Sequence, residues 1–264
     1  MALPIGLGVA FGGGAQPVSP AAYGPAVWYR ADEAYTDAGM ATQCINDGDL
    51  CYTLKDLSGN GRHAIQATSA NRPAWYGESL PYLPSFRPVL LFDGVNDFLS
   101  HSGFSASYPC TLFAVGRRNS ATASVIGALA GNFQSGTPAS TTMTIRSGDG
   151  TTHTNGVGFA RDAGPANISD AMTGFSDVTW WVWEFVASAS TLELKRSGNT
   201  NGTTAATPAG MTSQPFSVGA RSNAGADPFP GAIAEIVLLP GANAGRDNAL
   251  RTAYFGPRYG ITVV

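Results

Sequence analysis

The chain has 264 residues, a formal net charge of −3 and 44% hydrophobic residues, enough apolar material for the core of one large β domain or two small ones. Only 12% of residues are charged, about half of the ~25% usual in soluble domains, and no basic run exceeds Arg117-Arg118, which excludes the cationic footprint that nucleic-acid binding needs. No apolar stretch approaches the ~20 residues that span a bilayer, while 33 glycines and 17 prolines mark a chain dense in turns.

Residues 1–25 form an apolar, Gly/Pro-rich arm. Pro4, Gly6 and Gly8 disfavour a helix, and no Lys or Arg precedes Arg30, so the basic start of a secretory signal is missing. Leu3, Ile5, Leu7, Val9 and Phe11 are the candidate anchors, and the arm is expected to bury them in partner proteins through residues 1–14. Residues 26–264 are expected to form a single domain.

The domain opens on a strand over 27–30. Cys44 and Cys51 then bracket a polar loop that a disulfide can close, leaving Cys110 over; three reduced thiols are the other reading. Asp47 and Asp49 lie inside that loop. The stretch Asp56-Leu57-Ser58-Gly59-Asn60-Gly61 is a turn, because Asp and Ser side chains bond nearby N–H groups and Gly and Asn accept positive φ. Trp75 and Tyr76, with Asn71 before them and Tyr82 after, lie in a loop-rich segment and are the candidate glycan platform, since a sugar offers an apolar face ringed by hydroxyls. Asp93-Gly94, ahead of Asp97, is a hairpin signal between apolar runs.

Strands are expected over 87–92, 111–116, 124–127, 142–146, 156–160, 179–186, 191–196, 216–219 and 232–238. On the 179–186 strand, Trp181 and Trp183 share one face and Trp180 takes the other, a pattern of core packing more than of a binding surface. Residues 199–212 read as a hairpin loop or extension. The single helix is expected over 246–255, preceded by Asn243 and stopped by Gly256-Pro257. This set of elements predicts an all-β, two-sheet antiparallel jelly-roll sandwich with one short C-terminal helix and an extended N-terminal arm. The histidines His63, His101 and His153 share no motif, and no Gly-x-Ser-x-Gly elbow or phosphate-cradling loop occurs.

Several motifs recur in a telling order: Trp28-Tyr29-Arg30-Ala31-Asp32, Asp56-x-Ser58-Gly59-Asn60-Gly61, Arg72-Pro73 and Phe92-Asp93-Gly94-x-x-Asp97-x-Leu99. They are followed by Phe216-Ser217-Val218-Gly219, Phe229-x-Gly231-x-Ile233-x-Glu235-Ile236 and Tyr259-Gly260-Ile261. Over residues 26 to 261 this order resembles the laminin-G-like, concanavalin A-like lectin/glucanase jelly roll. With its apolar arm the chain also resembles virion proteins of tailed bacteriophages. The resemblance implies a non-enzymatic virion component, a capsid decoration or tail-fibre adhesin, homo-oligomeric in the assembly and exposing its sandwich to host-surface glycans. A secreted carbohydrate-binding or adhesion module is the alternative, and a glycoside hydrolase ranks third. Glucanases of this superfamily carry their acids on one strand as Glu-x-Asp-x-Glu or a slightly longer string, and none occurs here; Glu184, Glu193 and Glu235 are each the only acid on their strands. Relatives often hold Ca²⁺ in edge loops, which makes Asp47, Asp49, Asp93 and Asp97 candidate ligands, although no cofactor is required by this reading.

Overall fold

The computed structural model describes residues 18–77, 84–104, 108–119, 127–132, 142–146, 157–161, 179–205, 214–221, 225 and 227–264. The proposed anchors Leu3, Ile5, Leu7, Val9 and Phe11 lie outside the described residues, as do Tyr82 and most of the expected 124–127 strand.

Among the described residues the chain forms strands β1 (Val27–Tyr35), β2 (Thr53–Asp56), β3 (Ala64–Ile65), β4 (Ala74–Tyr76) and β5 (Val89–Asp93). Next come β6 (Leu99–Phe104), β7 (Cys110–Arg118), β8 (Ala128–Asn132), β9 (Thr142–Arg146) and β10 (Val157–Arg161). The last are β11 (Trp181–Ala187), β12 (Thr191–Arg196), β13 (Asn199–Ala205), β14 (Gln214–Val218) and β15 (Pro230–Pro240). The all-β expectation holds. The strands connect in the order β10-β9-β8-β14-β6-β3-β2-β1-β15-β7-β11-β12-β13, with β4 and β5 branching from β15, and the pairings are antiparallel. The register of β1 against β2 shifts between Tyr29 and Ala34, a bulge of the kind that lets a sheet turn.

Alternation on β7, β11 and β15 builds two apolar layers. Leu112, Ala114, Trp183, Phe185, Ile236 and Leu238 point inward and pack against Leu99, Leu129, Ile145, Phe216 and Val218 of the other half of the sheet. Phe113, Val115, Val182, Val237 and Leu239 point outward and pack against Leu250, Phe255 and Tyr259 of the closing helix. Strands buried on both faces read as continuous apolar runs, which is why 232–239 carries only Glu235 as a polar interruption.

The closing helix departs from expectation at its end. It begins as α1 (Ala244–Ala249), where the Asn243 side chain accepts from Arg246 N, then widens through a π-type turn (Leu250–Phe255) and continues as α2 (Gly256–Tyr259). Gly256-Pro257 does not stop it. The Gly256 N–H reaches back to Arg251 O, and Pro257 occupies a first-turn position where its missing N–H costs nothing. No helix among the described residues is long and apolar enough to cross a membrane.

The two polar turns prove to be fasteners. Asp56 is nearly buried; its carboxylate accepts from Trp28 N, Ser58 N, Ser58 Oγ and Arg62 N. Asn60 adds side-chain bonds to the carbonyls of Pro25 and Ala26. In the second turn Asp93 Oδ1 accepts from the N–H groups of Val95, Asn96 and Asp97, and Asp97 Oδ2 accepts from Asp93 N. The Cys44–Cys51 bridge is not formed: Cys44, Cys51 and Cys110 are free, buried thiols. Burial, and after it the neighbouring Cys44, raises the pKa of Cys51 well above the usual thiol range, which disfavours the thiolate that disulfide chemistry needs.

Candidate functional site

A cleft of about 710 Å³ lies between the 44–51 loop, β4 and the Pro84–Phe86 turn. Its first wall is rigid because the loop is laddered onto the β4 segment. Gly48 N donates to Trp75 O, Trp75 N to Asp49 O, and Cys51 N to Pro73 O. Side chains complete the lacing: Asp49 Oδ2 accepts from Ile45 N and Asn46 N, and Asp47 Oδ1 accepts from Gly77 N at 2.7 Å. The floor is Trp75, whose ring lies so close over Gly77 that a Cβ there would sit 2.3 Å from it. This wall presents Ile45, 71% exposed, beside Asn46 and Asp47.

The second wall is the Pro84–Phe86 turn. Ser85 and Phe86 both adopt left-handed backbone, with φ of 47° and 55°, a conformation that costs a non-glycine residue energy and persists only where surroundings impose it. Ser85 packs against Gly260, the left-handed cap of α2, so closely that a Cβ there would meet Ser85 Oγ at 2.4 Å. The result is a Phe86 ring 87% exposed at the mouth of the cleft. An apolar ring thus faces an amide and a carboxylate across a gap wide enough for a small polar ligand.

The structure separates the residues expected to bind glycan. Trp75 lines the cleft, but as a largely buried floor whose Nε1–H donates to Ala31 O at 2.9 Å. Tyr76 points to the opposite face of β4 and packs with the layer under the closing helix. Asn71 ends a 3-10 turn (Ser69–Asn71) and does not line the cleft. The exposed ring is Phe86, which sequence reasoning passed over; its signal was an aromatic residue between two prolines, Pro84 and Pro88.

The four candidate calcium ligands are engaged in the turns that carry them: one oxygen each of Asp49, Asp93 and Asp97 accepts from backbone N–H groups of its own turn, and one oxygen of Asp47 accepts from Gly77 N. Among the described residues no three His, Cys, Asp or Glu side chains gather around one point.

The buried acids also stand away from the cleft. Glu184 is fully buried, paired with Arg251 and lying 3.6 Å from Lys195 Nζ; burial raises its pKa, while both cations oppose the rise. Glu235 accepts from Trp28 Nε1 at 2.5 Å, Tyr254 OH at 2.9 Å and Tyr259 OH at 2.6 Å, and burial raises its pKa too. These bonds clamp the closing helix to β1 and β15. Among the described residues the cleft is lined by one carboxylate, that of Asp47.

No family model matches this sequence, and no curated protein matches it. Solved structures do. A GH54 α-L-arabinofuranosidase soaked with 4-nitrophenyl α-L-arabinofuranoside is 13% identical, with a TM-score of 0.55 over 76% of this chain and 50% of its own. Domain 4 of AbnA, a GH43 extracellular arabinanase from Geobacillus stearothermophilus in complex with arabinotriose, is 10% identical, with a TM-score of 0.53 over 75% of this chain and 92% of its own. The binding domain of Paraclostridial Mosquitocidal Protein 1 is 15% identical, with a TM-score of 0.53 over 79% of this chain and 51% of its own. The chain thus spans about half the length of the arabinofuranosidase, and what it shares with all three is the fold.

Proposed function

We propose that this sandwich is a non-catalytic carbohydrate-binding module whose recognition site is the cleft between Ile45 and Phe86. The observation that carries the reading is the Phe86 ring, held in solvent on a strained turn opposite Asn46 and Asp47. A sugar's C–H face stacks on such a ring while its hydroxyls bond the amide and the carboxylate. The AbnA domain of similar fold, crystallised with arabinotriose, supports this class of ligand. Among the described lining residues Asp47 is the sole carboxylate, whereas hydrolysis ordinarily takes two carboxyl groups flanking the scissile bond. Recognition on this reading needs no metal.

The finer reading keeps the laminin-G-like resemblance and the apolar arm. The module rides on a phage particle as a homo-oligomer, anchored through residues 1–14 in other virion proteins, and repeated copies supply avidity for a host-surface glycan. Removal of residues 1–14 should leave the sandwich folded and abolish incorporation; particles that still carry the truncated chain would sink this part. The cleft is tested separately on an array of neutral and acidic oligosaccharides. Selective binding by the intact chain is expected, with Phe86→Ala lowering affinity about tenfold or more and leaving the melting temperature unchanged. Unaltered binding by Phe86→Ala removes the cleft from the reading.

A further inference from the structure

A second cleft, of about 460 Å³, lies across the Pro84–Phe86 turn from the first. Phe86 lines the first cleft and Ser85 lines the second, so one ridge of backbone divides them. Trp180, Tyr259 and Ile261 give the second cleft an apolar wall on the side of the closing helix, and Ser85, Thr179 and Thr262 add hydroxyls. Among the described residues its lining carries no charged side chain.

The chain carries a segment of matching chemistry. Residues 1–17 contain no Asp, Glu, Lys, Arg or His. Leu3, Ile5, Leu7, Val9 and Phe11 recur at every second position, with only Pro4, Gly6, Gly8 and Ala10 between them. On an extended backbone that spacing puts the five large side chains in one row and the small residues on the other side. An apolar row of this length is unfavourable in water and calls for a cover. The hydroxyls of the cleft suit the N–H and C=O groups that an extended segment leaves unpaired.

Geometry brings the two together. Val18, at the root of the arm, packs against the apolar layer under the closing helix, the same layer that Trp180 and Ile261 border. Ala26 N donates to Leu238 O, which sets this root at the end of β15 from which the helix departs. The second cleft lies at the other end of the helix, beside Tyr259 and Gly260. From Ala244 to Tyr259 the helix covers about 24 Å at ~1.5 Å per residue. Phe11 stands seven residues before Val18, and an extended chain spans up to about 3.3–3.6 Å per residue, so Phe11 reaches as far as the helix is long. A tethered segment also has an effective concentration on the order of mM, which favours the chain's own arm over a free partner.

We infer that in the free protein the arm lies along the closing helix and seats Phe11, with Val9 beside it, in the second cleft of its own chain. The seat covers the apolar row until a partner protein takes residues 1–14. The inference is independent of the carbohydrate reading of the first cleft; it rests on the arm as an anchor and adds where that anchor waits.

Amide hydrogen exchange of the full chain tests it, with Phe11→Asp and Thr262→Asp as reciprocal variants. Each places a carboxylate outside the core, since residue 11 precedes the domain and Thr262 is exposed. In Phe11→Asp, exchange across residues 259–262 is expected to speed up about tenfold or more. In Thr262→Asp, exchange across residues 5–11 is expected to do the same, with β7 unchanged in both and the rates independent of protein concentration. Cleft exchange untouched by Phe11→Asp, or arm exchange untouched by Thr262→Asp, overturns the inference. Protection that grows with protein concentration overturns the seat within one chain and gives the cleft to the arm of a second copy. Incorporation into particles is read separately, so the anchor can fail with the seat intact and the seat can fail with the anchor intact.

Discussion

The Asp56 turn and the Ser85–Phe86 ridge are opposites in how they meet water. The Asp56 turn is rich in polar groups, and its carboxylate is engaged inside the protein by four donors from β1, Ser58 and Arg62. The ridge is sparse in polar groups, holds two residues in left-handed backbone and exposes an aromatic ring. A satisfied polar turn holds a fold together, because its hydrogen bonds replace those lost to water. A strained apolar turn does the reverse: the fold bears its backbone strain, and the cost of its exposed ring is recovered only if something covers it. The conspicuous sequence motif is therefore architecture, and the inconspicuous one is where recognition is to be sought.

The sharpest way to break this contrast is at Asp56. Asp56→Ala leaves buried Trp28 N–H without its partner and releases the N–H and hydroxyl of Ser58 and the N–H of Arg62. The expected loss is about 3 kcal/mol, since each stranded buried donor costs about 1–3 kcal/mol and the exposed ones recover water. Urea unfolding reads it directly. Glycan binding by the fraction still folded should be unchanged. A loss under about 1 kcal/mol, or a selective loss of binding, would mean that this turn is more than a fastener.

Much of this contrast was legible in sequence, and the gaps have physical causes. Strands buried on both faces, such as β7, β11 and β15, announce themselves through unbroken β-branched and aromatic runs. β6 and β13 do not. Their sequences, Leu-Ser-His-Ser-Gly-Phe and Asn-Thr-Asn-Gly-Thr-Thr-Ala, become strands because neighbours β14 and β12 offer ladders to pair with, a tertiary fact absent from local pattern. The helix end was missed because a π-type turn absorbs Gly256-Pro257. The site was approached but not reached: Trp75 of the expected platform lines the cleft, but as a buried floor under the 44–51 loop whose Nε1–H bonds Ala31 O. Phe86 is exposed on a left-handed turn packed against Gly260, a partner far away in sequence.

Asp97 sharpens the comparison from the other side, with a smaller effect of opposite sign. It belongs to a turn that looks in sequence like that of Asp56, but it is 7% exposed and, among the described residues, accepts one backbone bond, from Asp93 N at 2.9 Å. Burial pushes its carboxyl pKa from 3.8 up to about 6; the bond from Asp93 N opposes that rise, and the charge of Asp93 adds to it. The folded protein thus holds this proton more tightly than the unfolded chain does. Below pH 4 the group is protonated in both states and its favourable contribution is complete. As pH rises through 4 to 6 that contribution is lost, and above 6 the ionised, buried carboxylate costs about 2 kcal/mol. Asp97→Asn keeps an oxygen for Asp93 N and removes the charge. It should stabilise the protein by about 1–2 kcal/mol at pH 7 and by almost nothing at pH 4, read from urea midpoints across that range. A shift of the same size at every pH would mean that packing, not ionisation, sets the cost at this turn. A destabilisation at pH 7 would mean that Asp97 fastens its hairpin as Asp56 fastens β1.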